Sequence, residues 1–293
     1  RGVRLGVLIL PEHRLPALTE KWSRAEGLGF DHAWTYDHIA WRELRDSPWF
    51  AAVPTLAAAA VVTSRIRLGT LVASPTFRHP VPFARELLTL DDLAAGRLTV
   101  GIGAGAEGWD TTVLGREPWS MTERLDRFAE FVDLLDRLLT DRAVSFEGRF
   151  WSAREARTHP GCIQQPRVPF AIAATGPKSM RVAARHASIW VTNGDRAREG
   201  LPLPPDQGAA VVARQLRLFE QACETEGRDP ATVDKLVLTG PRLDSGLQSV
   251  ETFRTVVDAY TAVGITDLVV PWPRHGSPYA GNESILDLIV ARS

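Results

Sequence analysis

The chain has 293 residues, 44% of them hydrophobic, and 34 basic against 35 acidic side chains for a net charge of -1. That length buries a large core and suits one α/β barrel of about 250 residues, while the balanced charge removes any global electrostatic case for nucleic acid or an anionic membrane. Cys162 and Cys223 lie far apart without metal-ligand spacing, no secretory signal is visible, and no apolar run nears the ~20 residues of a membrane span, so the expectation is a cytoplasmic protein with idle thiols, no membrane partner and no metal.

Short apolar strands alternate with longer amphipathic helices. Residues 3–10 read as a strand and 16–28 as a helix, with Gly29 at the helix C-terminal cap. Residues 30–36 form the second strand, 54–63 an Ala-rich helix, 65–72 the third strand, and 82–94 a helix ended by Gly96. A fourth strand spans 98–102. Then the rhythm changes: 103–120 is a Gly- and Trp-containing loop, and 121–139 a helix with Leu125, Phe128, Phe131, Val132, Leu135 and Leu138 on one face. Residues 144–151 read as a small hairpin and 152–169 as irregular, so 103–120 and 143–169 are insertions. Alternation resumes with strands at 170–174, 189–192, 235–239 and 267–270 and helices at 177–186, 207–226, 250–263 and 283–291. About eight βα units in one domain over 1–293 predict a closed (β/α)8 TIM barrel, with a doubly wound open sheet as the other solution.

The polar residues that follow strands carry the chemistry. Tyr36-Asp-His-Ile-Ala-Trp41 follows the second strand, which places His38 at the barrel mouth, where it either titrates in a reaction or serves the structure. Asp37 is placed to fix its tautomer. Ser74-Pro-Thr-Phe-Arg-His-Pro80 breaks off the third strand. Gly101-Ile-Gly-Ala-Gly105 follows the fourth; it lacks the last glycine of a dinucleotide fingerprint, where Ala106 stands, and otherwise reads as backbone closely approached by a flat ligand. Thr175-Gly-Pro-Lys-Ser179 is either an ordinary helix start or, through its amides and Lys178, a phosphate loop. Trp41, Trp49 and Trp109 fall in the upper loops and suit an apolar cleft. There is no HxH, HExxH or GxSxG, so neither a metal site nor a hydrolase triad is expected.

Taken in order, Gly29-Phe-Asp-His-Ala-Trp34, Asp37-His38-Ile39, Thr63-Ser-Arg-Ile-Arg-Leu-Gly-Thr70, Ser74 to Pro80, Leu90-Asp-Asp-Leu-Ala-Ala-Gly-Arg-Leu98, Gly101 to Gly105, Val144-Ser-Phe-Glu-Gly-Arg-Phe150 and Gly176-Pro177 resemble the luciferase-like monooxygenase superfamily. They look most like its branch that uses the deazaflavin coenzyme F420. The resemblance implies a (β/α)8 barrel with the ring at the strand C-termini and a non-prolyl cis peptide at Leu71–Val72 beside it. It implies cofactor contacts at Asp37, Thr76, Gly103, Ala104, Gly105, Gly176, Pro177, Lys178, Ser179 and Arg274, and substrate contacts at Trp41 and Trp109. His38 matches the histidine by the reactive face. In sugar-phosphate dehydrogenases of this branch a glutamate follows the Gly-x-Gly; here Ala106 stands there and Glu107 comes one residue later. That departure leaves His38 as the proton-transfer residue, with Glu107 and Asp110 as alternates. Three functions follow from the resemblance. The first is an F420-dependent hydride-transfer enzyme acting on a small molecule as a homodimer. The second is an FMN-dependent monooxygenase fed by a partner flavin reductase, and the third a non-catalytic flavin-binding barrel. An acidic oligoglutamyl tail on coenzyme F420 calls for basic residues at the rim, where Arg78, His79 and Lys178 are placed.

Overall fold

The computed structural model describes residues 2–106, 108–195 and 200–291. Eight strands close into a parallel barrel: β1 (Arg4–Leu8), β2 (His32–Thr35), β3 (Arg67–Ala73), β4 (Leu98–Ile102), β7 (Phe170–Ala173), β8 (Ile189–Thr192), β9 (Asp234–Leu238) and β10 (Asp267–Pro271). β1 pairs with both β2 and β10, which closes the sheet and excludes the open alternative. Helices α1 (Ala17–Leu28), α2 (Ala52–Val62), α3 (Pro80–Leu93), α5 (Met121–Thr140), α6 (Pro177–His186), α7 (Pro205–Thr225), α8 (Val250–Ala262) and the final α9 (Ile285–Val290) connect and cover the strands.

Two insertions depart from the expectation. The hairpin is longer than 144–151: β5 (Ala143–Glu147) pairs antiparallel with β6 (Ser152–Arg157), so the tail of the hairpin lies in what reads as irregular sequence. β6 is polar and mostly exposed and buries no stripe that a period-2 pattern would reveal. The 103–120 loop carries a one-turn helix, α4 (Trp109–Thr112).

The helix termini follow local chemistry. Gly29 ends α1 at φ 100°, a left-handed conformation only glycine adopts cheaply, and its amide reaches Glu26 O at 3.1 Å. Ser120 caps α5 by accepting the Glu123 amide at 3.2 Å. On α5 the expected face is buried at Phe128, Phe131, Val132, Leu135 and Leu138, each contributing about 1.5–3 kcal/mol relative to exposure. Leu125 at its edge is half-buried, and Leu134 and Leu139 join the core.

Inside the barrel, Leu8, Trp34, Leu71, Ala171, Val191, Leu236 and Val269 pack together, and this column continues upward into Tyr36 and Trp41. The N-terminal end is closed by charge. Asp267 accepts from Arg4 at 2.8 and 2.7 Å and from Thr266 at 2.6 Å, and it lies 3.0 Å from His32 Nε2. Gly6 leaves the space for that imidazole, since a Cβ there would sit 2.0 Å from His32 Nδ1. Strand C-termini therefore open at the other end, with the βα loops above them.

Candidate active site

Beyond β2, which ends at Thr35, neighbouring side chains find different partners. Asp37 and His38 accordingly part company, and Asp37 does not hold the imidazole. It is buried against Arg78, which donates to it from Nε at 2.6 Å and from Nη2 at 2.9 Å; Arg78 also reaches Glu86 at 2.9 Å. His38 turns to the insertion after β4. Its Nδ1 lies 2.6 Å from Asp110 Oδ2, while Asp110 Oδ1 accepts the amides of Ile39 at 2.7 Å and Ala40 at 3.1 Å. Asp110 thus makes the contact to the imidazole that was expected of Asp37. A carboxylate only accepts, so Nδ1 is the donor of this contact, and in the neutral imidazole Nε2 is the accepting atom. The His38 side chain is 32% exposed, enough to meet a ligand from the mouth. Glu107, the other alternate acid, lies outside the described residues.

The end of β3 carries the expected irregularity. The Leu71–Val72 peptide is cis, and the β3–β4 register shifts between Thr70 and Ala73. Beyond it, Thr76 Oγ1 accepts from Ser74 Oγ at 3.0 Å, and Arg116 from the 103–120 insertion donates to Thr76 O. The glycines after β4 have a reason other than room for a flat ligand. A Cβ on Gly101 would meet Thr70 O at 2.0 Å, one on Gly103 would meet Val72 Cγ2 at 2.7 Å, and one on Gly105 would meet Thr76 Oγ1 at 2.6 Å. They make space for the irregular end of β3. Ala104 is buried between them.

The basic residues expected to contact phosphate or an acidic tail are engaged within the protein. Lys178 pairs with Asp126. Arg274 donates to both carboxylate oxygens of Glu12, at 2.8 and 2.7 Å, and to the carbonyls of Gly276, Ser277 and Pro278. His79 caps α3 by accepting the Val81 amide at 3.1 Å. Lys178 and Arg274 meet acids from distant parts of the chain, a proximity that sequence does not display, whereas His79 caps the helix that follows it. At α6, Gly176 precedes the helix, Pro177 occupies its first position, and Ser179 Oγ accepts the Gly176 amide at 3.3 Å. The amides of Lys178 and Ser179 fall in the first turn, which lacks intrahelical acceptors.

One side of the mouth is aromatic. Trp41 is buried and stacks near-parallel with Trp49 and Tyr279, ring centroids 5.6 and 6.2 Å apart. Trp49 Nε1 donates to His38 O at 2.8 Å, and the His38 and Trp41 rings lie 6.4 Å apart. Tyr36 and Tyr279 meet hydroxyl to hydroxyl at 2.5 Å, and burial pushes the Tyr36 phenol up to about 12 against the pull of that bond. Trp41 also lines a cavity of about 640 Å³ walled by the loops after β9 and β10. Trp109, by contrast, is 38% exposed, with the Arg45 guanidinium 3.9 Å over its ring. Tyr36 and Tyr279 are the site residues that sequence reading missed. The signal for Tyr279 is the Pro- and Gly-rich run after the last strand, Pro271-Trp-Pro-Arg-His-Gly-Ser-Pro278, which marks another mouth loop.

The chain belongs to the luciferase-like monooxygenase family, whose model matches residues 3–241. A curated relative from Beutenbergia cavernae, named F420-dependent glucose-6-phosphate dehydrogenase, is 38% identical over 179 residues, 60% of this chain and 52% of the relative. The chain thus spans about half the length of that relative. Among solved structures, an F420-dependent secondary alcohol dehydrogenase in complex with an F420-acetone adduct superposes with TM-score 0.80 at 19% identity, covering 99% of this chain and 98% of the other. The coenzyme F420-dependent tetrahydromethanopterin reductase from Methanopyrus kandleri does so with TM-score 0.79 at 18% identity and the same coverage. Both share the fold.

Proposed function

We propose that the protein is a coenzyme F420-dependent oxidoreductase that moves a hydride between the deazaflavin and a small organic substrate, with His38 handling the accompanying proton. The observation that carries this reading is the His38–Asp110 pair at the barrel mouth, which leaves Nε2 as the open basic atom. The F420 dependence named for the relatives supports the deazaflavin over FMN. When bound, coenzyme F420 supplies the carbon that gives or accepts the hydride.

The residues present fit a flat ring. Ala173 is small where β7 ends, and Thr76, which accepts from Ser74, keeps its own hydroxyl proton for another acceptor. Thr76, the backbone from Gly103 to Gly105 and the first amides of α6 would hold the group. With Arg78, Lys178 and Arg274 each paired to an acid, recognition draws on these neutral donors and on backbone.

The chain's own residues do the rest. Asp110 fixes the imidazole tautomer through Nδ1, and the Ile39 and Ala40 amides fix Asp110. In the oxidising direction Nε2 takes the proton of a substrate hydroxyl, and in the reducing direction the imidazolium returns it. Trp41, Trp49 and Tyr279 wall one side of the site and exclude water. We take the chain to act as one barrel domain and as a cytoplasmic homodimer. Buried, unpaired Cys162 and Cys223 suit a reducing compartment, and exposed Val113, Leu114 and Met121 offer apolar surface to a second copy. Among the described residues no helix is long and apolar enough to cross a membrane.

The test is equilibrium binding of coenzyme F420 and FMN, oxidised and reduced, at matched concentrations, followed by turnover of His38→Ala. Preferential F420 binding with turnover lost in a variant that still binds is the expected result. Preferential binding of reduced FMN, or undiminished turnover by His38→Ala, would overturn it.

A further inference from the structure

The loop after β10 carries a strained residue into the mouth. Tyr279 has φ 66°, in the left-handed region that a bulky side chain seldom adopts. Four non-glycine residues have positive φ among those described, and two of them, Tyr279 and Arg42, flank Trp41: the Tyr279 ring stacks on it and the Arg42 guanidinium lies 5.5 Å over it. Such backbone strain persists only where surrounding contacts enforce it. At Tyr279 those contacts involve main chain and side chain alike. Its carbonyl accepts the Arg274 amide at 2.9 Å, and Arg274 is itself anchored on Glu12. Its ring is seated on Gly240, where a Cβ would stand 3.0 Å from Tyr279 Cε1. Its hydroxyl meets that of Tyr36 at 2.5 Å.

Tyr36 and His38 belong to one short segment, so the hydroxyl pair ties the loop after β10 to the proposed proton-transfer residue. A second tie runs through the rings. Tyr279 stacks on Trp41, Trp41 stacks on Trp49, and Trp49 Nε1 donates to His38 O at 2.8 Å. Asp110 holds the imidazole of His38, whereas this series of rings ends on its main chain. We infer that Tyr279 is a positioning residue for proton transfer at His38, acting through the Trp41–Trp49 pair and the Tyr36 hydroxyl. The inference rests on the F420-dependent reading for the reaction it serves, while the positioning itself is a property of the protein without cofactor. With ring and main chain both fixed, Nε2 has one location in the mouth, and moving a proton-transfer group by about 1 Å costs roughly 10²-fold in rate.

Two variants test this. Tyr279→Asn keeps a residue that tolerates positive φ and removes the ring and its hydroxyl, whereas Tyr279→Phe keeps the ring. Exchange of the indole N–H protons is followed by NMR on the protein without cofactor, and kcat, KM and coenzyme F420 affinity are measured on the same samples. Trp190, buried and donating from Nε1 to Ala174 O at 2.9 Å, reports global opening. In Tyr279→Asn the Trp49 indole should exchange about tenfold faster while Trp190 stays within about twofold of wild type. The same variant should lose about 10²-fold in kcat, with KM and coenzyme F420 affinity within about threefold. Tyr279→Phe should lie between Tyr279→Asn and the wild type in both readouts. Unchanged Trp49 exchange in Tyr279→Asn, Trp49 and Trp190 accelerating together, or an undiminished kcat beside faster Trp49 exchange would each overturn the inference. Failure of the wild type to bind coenzyme F420 would overturn the cofactor reading instead, and the exchange comparison would still decide the positioning.

Discussion

Replacing Asp110 with Asn changes one donor while keeping the shape that ties two loops together. The new amide oxygen can still accept from Ile39 and Ala40, whose amides now lie 2.7 and 3.1 Å from Oδ1. Its NH2 then takes the place of Oδ2, 2.6 Å from His38 Nδ1. Two N–H groups cannot face each other, so the imidazole moves its proton to Nε2, and the atom that must accept a substrate proton no longer can. Returning the proton to Nδ1 forfeits a charge-assisted hydrogen bond, about 1.5–3 kcal/mol, and strands the Asn NH2, about 1–3 kcal/mol. A total of about 2.5–6 kcal/mol corresponds to a loss of roughly 10²- to 10⁴-fold in kcat for the oxidising direction. The fold should hold, since the amides keep an acceptor. The assay pairs stopped-flow turnover with nitrogen-detected NMR of the histidine tautomer, with cofactor affinity as the control. If Asp110→Asn turns over within threefold of wild type while its spectrum shows Nε2–H, tautomer control by Asp110 is refuted.

The Asp37–Arg78 pair is buried, with side chains 2% and 12% exposed, so Arg78→Leu alone should cost about 3–5 kcal/mol by leaving the Asp37 carboxylate unpaired, and Asp37→Ala less, because Arg78 keeps Glu86. The double variant Asp37→Leu/Arg78→Leu should recover much of that in urea unfolding; equal loss in the double and single variants would argue against a coupled pair. Glu26 supplies a pH signature. Burial alone pushes its carboxyl up, but the amides of Ser64, Arg65 and Ile66, 2.6–3.2 Å away, outweigh it and hold the group at about 2. With the folded value depressed, its contribution is full above the unfolded value of about 4.3 and is lost as pH falls towards 2. Glu26→Gln should therefore flatten the decline of stability between about pH 4.5 and 2, read from denaturant midpoints, and an unchanged slope would show the contribution to be absent.

Much of the architecture was legible because it depends on short-range pattern. Alternating apolar strands and periodic helices, with helix stops such as Gly29, specify about eight βα units, and the pairing of β1 with β10 closes them into a barrel rather than an open sheet. The same pattern put His38, Thr76 and Gly103 at strand C-termini, and the resemblance placed the cis bond at Leu71–Val72. Residues without a periodic stripe were lost: β6 reads SAREAR, and its two alanines, three positions apart, give no period-2 strand signal.

What sequence by itself determined is therefore the barrel and the loops that carry chemistry. Tertiary structure alone decided the partners within them. Asp37 is adjacent to His38 in sequence but pairs with Arg78, 41 residues on, while Asp110 arrives at His38 from 72 residues away. Lys178 and Arg274 read as free cations until the fold brings Asp126 and Glu12 to them. Tyr279 meets Tyr36 across 243 residues for the same reason. Periodicity records which face of an element is buried; which charge ends beside which is settled only when the barrel closes.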